Sequence, residues 1–173
     1  MNMDIQTASF LVAALGGFLG AASFAWQVLH YVLTGGRIRV RLRLGFMGAD
    51  ESTLVTQDPK AFTEAQVQRL ADQGFVHRLA VVEVVNKGRM PVTVQRWGVR
   101  ASPGASIHPI GDSIGPQLPH RLDVGESATW AVAWNSAFAL REASKALSDG
   151  RPVRLRGVAE LADGRPKKSR EYL

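Results

Sequence analysis

The feature that most constrains this chain is a charge-free stretch from Ile5 to Gly36, followed at once by Arg37, Arg39, Arg41 and Arg43. About 20 consecutive apolar residues cross the hydrocarbon core of a bilayer, and Ala8 to Leu33 is longer than that, with no proline and no charge. Residues 1–36 are therefore expected to be a short tail and a single transmembrane helix, and residues 37–173 a separate domain. A cleaved signal peptide competes for the segment, because Ala22, Ser23, Phe24 and Ala25 offer small residues to a peptidase. The flanks disfavour it: Met1 to Gln6 holds Asp4 and no Lys or Arg, and the apolar run exceeds a signal core. Since basic residues follow the helix and none precede it, the N-terminus is expected outside the cell membrane and the domain in the cytoplasm. Trp26 and Tyr31, with Gln27 and His30, fall near the inner interface, where amphipathic rings are favoured. Trp26, Tyr31, Arg37, Arg39, Arg41 and Arg43 form the expected membrane-interface set.

All 21 Lys and Arg residues follow Gly36, as do all the acids except Asp4, so residues 37–173 are more basic than the +6 of the whole chain. The expected acidic partner is the anionic inner leaflet, where each nearby basic side chain gains about 1 kcal/mol. Nucleic acid is not expected, because the cations are spread over several strands without the clustered aromatics that stack bases. With no cysteine, disulfides and thiolate metal sites are excluded.

Within the helix, Ser9, Ala13, Gly17, Ala21 and Ala25 recur at intervals of four, and Gly16 with Gly20 makes an overlapping G-x-x-x-G. Small residues at that spacing let two helix backbones approach closely, so a homo-oligomer through this stripe is one reading. Composition is the other, since Gly and Ala are common in transmembrane helices.

Past Gly36 the period changes to two. Ile38, Val40, Leu42, Leu44 and Phe46 alternate with the four arginines, which predicts a first strand over Arg37 to Phe46. Leu79 to Asn86 reads as a strand buried on both sides. Asn86 to Arg89 predicts a turn with Gly88 at positive φ, and Pro91 opens a third strand. There the apolar phase slips between Val94 and Trp97, predicting a bulge at Gln95 and Arg96. Residues 102–119 read as loop with a short edge strand near Ile107. A tight turn over Leu122 to Ser127 leads to a strand with Ala128, Trp130, Val132 and Trp134 on one face, expected to be a core wall, with an open aromatic groove as the alternative. Val153 to Leu161, a turn at Asp163 and Gly164, and a basic edge strand over Arg165 to Leu173 complete the sheets.

Two helices are expected as connections packed on those sheets. The first starts at a Thr63 and Gln66 capping box and ends at Gly74, its face of Gln66, Gln68, Arg69, Asp72 and Gln73 expected to be solvated, with a partner surface as the alternative. The second runs from Ala137 to Leu147, capped by Asn135 or Ser136, with Ala137, Leu140 and Leu147 facing the sheet. The fold class is thus mainly β: one transmembrane helix, then an antiparallel β-sandwich with two short connecting helices.

The segments "VVEVVNKGRMPVTVQRWGV", "LDVGES" and "VRLRGVAELADGRPKKS" carry a resemblance. Their N-x-G-R-x-P-V-T-V turn, L-x-x-G-E-S turn and terminal D-G-R hairpin resemble those of uncharacterised small bacterial single-pass membrane proteins with an immunoglobulin-like cytosolic domain. The resemblance implies the immunoglobulin-like form of the sandwich. It brings no catalytic residue, ligand or partner.

Gly111 to Gly115 spell G-x-S-x-G, but Pro109 and Pro116 flank the motif where a nucleophile elbow needs a strand and a helix. His77, His108 and His120 are too widely spaced for a helical ligand pair. No catalytic, cofactor or metal residues are nominated, and no small-molecule substrate or enzyme activity is expected. Two functions remain. One is a membrane-anchored interaction or scaffold module that holds an unknown protein partner at the inner leaflet. The alternative is a membrane-acting effector of defence or exclusion type, whose helices self-associate under control of the sandwich.

Overall fold

An apolar run too long for one turn of any fold has to be satisfied along its own backbone, and a helix does so. The computed structural model describes residues 5–34, 37–61, 63–110 and 113–173. Ile5–Thr34 is a 30-residue α-helix, α1. Its 22-residue segment Ser9–His30 reaches a mean hydropathy of 1.6, is nowhere buried, and is long and apolar enough to cross a membrane. Phe10, Phe18 and Trp26 all project openly from it.

The second compact unit, Gly36–Leu173, is built from strands because its apolar residues alternate. β1 (Ile38–Met47) turns Val40, Leu42 and Leu44 inward and the arginines outward. β2 (Leu54–Gln57) pairs with its end. α2 (Glu64–Asp72) then leads to β3 (His77–Asn86), which lies between β1 and β7 (Ser127–Ala133). β4 (Val92–Ser102) anchors the second sheet, with β5 (Ser106–Ile107) and β6 (His120–Leu122) along one side. After α3 (Trp134–Lys145), β8 (Arg154–Leu161) takes the other side of β4, and β9 (Pro166–Lys168) closes that edge. The orders are β2-β1-β3-β7 and β5-β4-β8-β9, with every pairing antiparallel.

Both sheets turn their apolar faces to one core. Leu42, Val82 and Trp130 come from the first sheet and Val94, Trp97 and Leu155 from the second. Trp97 stacks on Trp130 with centroids 6.4 Å apart and planes 24° from parallel. The layers approach closely at Gly157, where an added Cβ would lie 3.2 Å from Val82. The outer face of the first sheet has its own small cluster of Met47, Leu79, Val81 and Ala131, so β3 is buried on both sides as its composition predicts. The bulge falls between Val94 and Arg96, where the apolar phase slips.

Several expectations are corrected. Gly88 is not among the glycines of positive φ; the buried Asn86 side chain makes the turn instead, its Oδ1 accepting the Gly88 N–H at 3.0 Å. Trp134 is the first residue of α3 rather than the last of a strand face. It lies three residues before Ala137 and so shares its helix face, and Trp97, not Trp134, is the ring stacked on Trp130. α3 accordingly starts ahead of Asn135, with Ala133 as N-cap, and stops at Lys145. Leu147 therefore falls beyond the helix and is exposed, and Ser144 takes the inward position. α2 begins at the capping box, Gln66 Oε1 accepting the Thr63 N–H at 3.0 Å, but it buries no residue and is solvated rather than packed on a sheet. The last strand is shorter than Arg165 to Leu173, because Ser169 turns inward and its Oγ accepts the Gly157 N–H. Backbone pairing resumes between Leu155 and Leu173.

Candidate functional site

β1 sets its arginines two residues apart on one face, which in isolation would be a cationic ladder. β3 supplies the counter-charge. Glu83 is directly opposite Arg41 in register, and its Oε2 accepts from Arg43 Nε at 2.8 Å and from Arg41 at 3.4 Å. All three side chains are half-buried, so the pairs fix the strands against each other. Arg39 reaches Glu171 in the C-terminal segment at 3.5 Å. Of the expected interface set, Arg37 and Arg39 are exposed and Trp26 is open on α1. The side chain of Tyr31 lies outside the described residues. The missed residue here is Glu83, and its signal was present: the one charge in the aliphatic run from Leu79 to Val85.

Beside this ladder, a groove of about 270 Å³ is lined by Ile38, Arg39, Val40, Lys87, Lys168 and Arg170. Two buried polar residues set its walls. Asn86 Nδ2 donates to the carbonyls of Met90, Leu122 and Asp123 at 2.8, 3.2 and 3.2 Å, and the adjacent Lys87 N–H donates to the Arg37 carbonyl at 2.7 Å. Ser169, 2% exposed, ties down the other wall: its hydroxyl donates to the Glu171 carbonyl, and its N–H to the Gly157 carbonyl. Lys168 and Arg170, on either side of this buried serine, both line the groove. Sequence spacing could not bring Lys87 to these residues, because the contact depends on how two sheets close.

A larger open groove of about 480 Å³ lies at the far end of the first sheet, with Val76, Leu79, Ile114 and Trp134 among its walls. The Arg78 guanidinium stands 5.5 Å above both the Trp134 and Phe46 rings. Ile114 pairs with Ala131 as an extra bridge on β7, and the Trp130 indole N–H donates to the Pro116 carbonyl at 2.8 Å. These contacts make the 113–116 segment a brace for the core tryptophan. Gly111 and Asp112 lie outside the described residues. Ser113 has a bridge and a bend after it, not the helix that a nucleophile elbow requires.

His108 Nδ1 lies 2.9 Å from the Trp97 carbonyl, and His120 meets the Trp130 ring edge-on at 5.9 Å. Among the described residues no group of three His, Asp or Glu could hold a metal. Asp50, in an exposed turn, has its carboxyl held below the usual range by the Ser52 hydroxyl and backbone N–H. On α1, Ser9, Ala13, Gly16, Gly17, Gly20, Ala21 and Ala25 are exposed, and a Cβ added at any of the three glycines would meet nothing within 4 Å.

No family model, curated protein or solved structure matches this chain.

Proposed function

We propose that this is a single-pass membrane protein whose immunoglobulin-like β-sandwich lies in the cytoplasm and acts as an interaction or scaffold module at the inner leaflet. The observation that carries the membrane part is α1, whose 22-residue apolar segment is exposed throughout. A soluble protein rarely leaves so large an apolar surface open, whereas lipid solvates it and the helix satisfies its own backbone. Arginines at the C-terminal flank alone favour a cytoplasmic domain.

Strand order supports the immunoglobulin-like reading. The pairs β1-β3-β7 and β4-β8-β9 follow strands A-B-E and C-F-G of that fold, and Trp97 on β4 takes the place of its buried strand-C tryptophan. Such domains bind through edges and loops, and here Arg41, Arg43 and Glu83 of the first sheet serve strand pairing. The resemblance to small bacterial membrane proteins of this plan points the same way. The runner-up, an assembling membrane effector, draws support only from the open small-residue stripe.

A reporter active only in the cytoplasm, fused after Leu173, should work, and a periplasm-only reporter working there overturns the orientation. A tagged full chain purified from detergent-solubilised membranes should bring down a partner in stoichiometric amount. Purification as a lone monomer would overturn the scaffold role.

A further inference from the structure

We infer that the groove between the start of β1 and the C-terminal segment binds the phosphate headgroup of an anionic phospholipid; the inference rests on the membrane-anchor reading above. The arginines of β1 suggest leaflet contact by sequence, but Arg41 and Arg43 are held by Glu83 and Arg39 leans on Glu171. The cations left over are elsewhere. Lys87, Lys168 and Arg170 are exposed and form no ion pair among the described residues, and they line one groove with Arg39, whose guanidinium is 3.5 Å from Glu171.

The groove is built rather than incidental. Asn86 is fully buried and Ser169 nearly so, and each fixes the backbone beside a groove cation. A preset arrangement of cations loses less freedom on binding an anion than surface lysines that must first converge. Ile38 and Val40 give the groove an apolar floor, which suits the glycerol portion of a lipid below its phosphate. Only three residues, 35–37, separate Thr34 at the end of α1 from Ile38, so a bilayer surface is the anion source nearest in the chain. A nucleic-acid site would add aromatic side chains for stacking, and none lines this groove.

The test uses the full chain in uncharged maltoside micelles, titrated with dihexanoyl phosphatidylglycerol and followed by hydrogen exchange over residues 86–90 and 166–171. Dihexanoyl phosphatidylcholine, inorganic phosphate and a single-stranded oligonucleotide are the other arms. Phosphatidylglycerol should protect both segments. Lys168→Glu with Arg170→Glu should weaken it at least about tenfold, as expected when two charges of about 1 kcal/mol each are reversed. Lys87→Gln should weaken it several-fold, and Arg151→Glu, in the turn after α3, should leave it unchanged. Equal binding by the wild type and the double variant overturns the site. So does equal protection by phosphatidylcholine or inorganic phosphate, or tighter binding of the oligonucleotide. Alkaline carbonate extraction separates the two ideas. A chain released from membranes overturns the anchor, whereas one that stays in membranes and ignores phosphatidylglycerol overturns the groove alone.

Discussion

Asn86 joins two turns that are distant in sequence. Its amide donates to carbonyls after β3 and after β6, its own backbone N–H donates to Glu126, and its carbonyl accepts from Gly125. A buried side chain with every group engaged is costly to replace, because each orphaned partner loses about 1–3 kcal/mol. Asn86→Asp keeps the shape but offers carboxylate oxygens to three carbonyls, so it should cost at least about 3 kcal/mol and lower the urea midpoint sharply. An unchanged midpoint would mean that the turns hold without it. Trp130→Ala removes a fully buried ring that stacks on Trp97, and should cost about 3–5 kcal/mol with loss of soluble fold. A folded alanine variant with unshifted fluorescence would contradict the core placement. Both turns are legible in the sequence from Pro91 and Gly125, but their link through one asparagine is not, because a side-chain hydrogen bond across 36 residues leaves no periodic trace.

Elements were legible wherever burial imposed a period. The alternation in β1, the aliphatic run of β3 and the phase slip in β4 each reflect a physical face, so strand, burial and bulge follow from residue order. Boundaries were less so. Trp134 continues the strand alternation and also fits the start of α3, and the burial of Ala137, Leu140 and Ser144 at helical spacing after it decides for the helix. α2 shows the same limit in reverse, since its caps specify a helix while its polar sides give no reason to pack. The arginine ladder of β1 predicts surface charge, but Glu83 makes it a cross-strand clamp. Glu83→Ala should therefore cost about 1 kcal/mol or more by leaving two half-buried guanidiniums without their carboxylate, read from the same urea curves. No loss would reduce the pairs to surface ornaments. For α1, Gly17→Ile or Gly20→Ile should abolish self-association in a membrane two-hybrid assay if the small-residue stripe is an interface, with Leu11→Ile as control. Equal signals in all three leave a simple anchor.

At the scale of the whole molecule, one unit carries the apolar helix and the other carries both sheets and all but one of the chain's charged residues. That division underlies the proposed role: lipid solvates the first and the second meets partners. Orientation has to be tested without damaging the domain. Acid substitutions at Arg41 and Arg43 would also break the Glu83 clamp, and one at Arg39 would set a carboxylate against Glu171, so Arg37→Glu is the cleaner substitution and should mix the two topologies. The absence of cysteine allows the most direct measurement of all, labelling of single introduced cysteines by a membrane-impermeant thiol reagent in intact cells. Asn2→Cys should be labelled from outside, and Lys167→Cys, on the exposed edge strand β9, only after the inner membrane is opened. Labelling of Lys167→Cys in intact cells, or release of the full chain by alkaline carbonate, would contradict a cytoplasmic domain held by a single membrane helix.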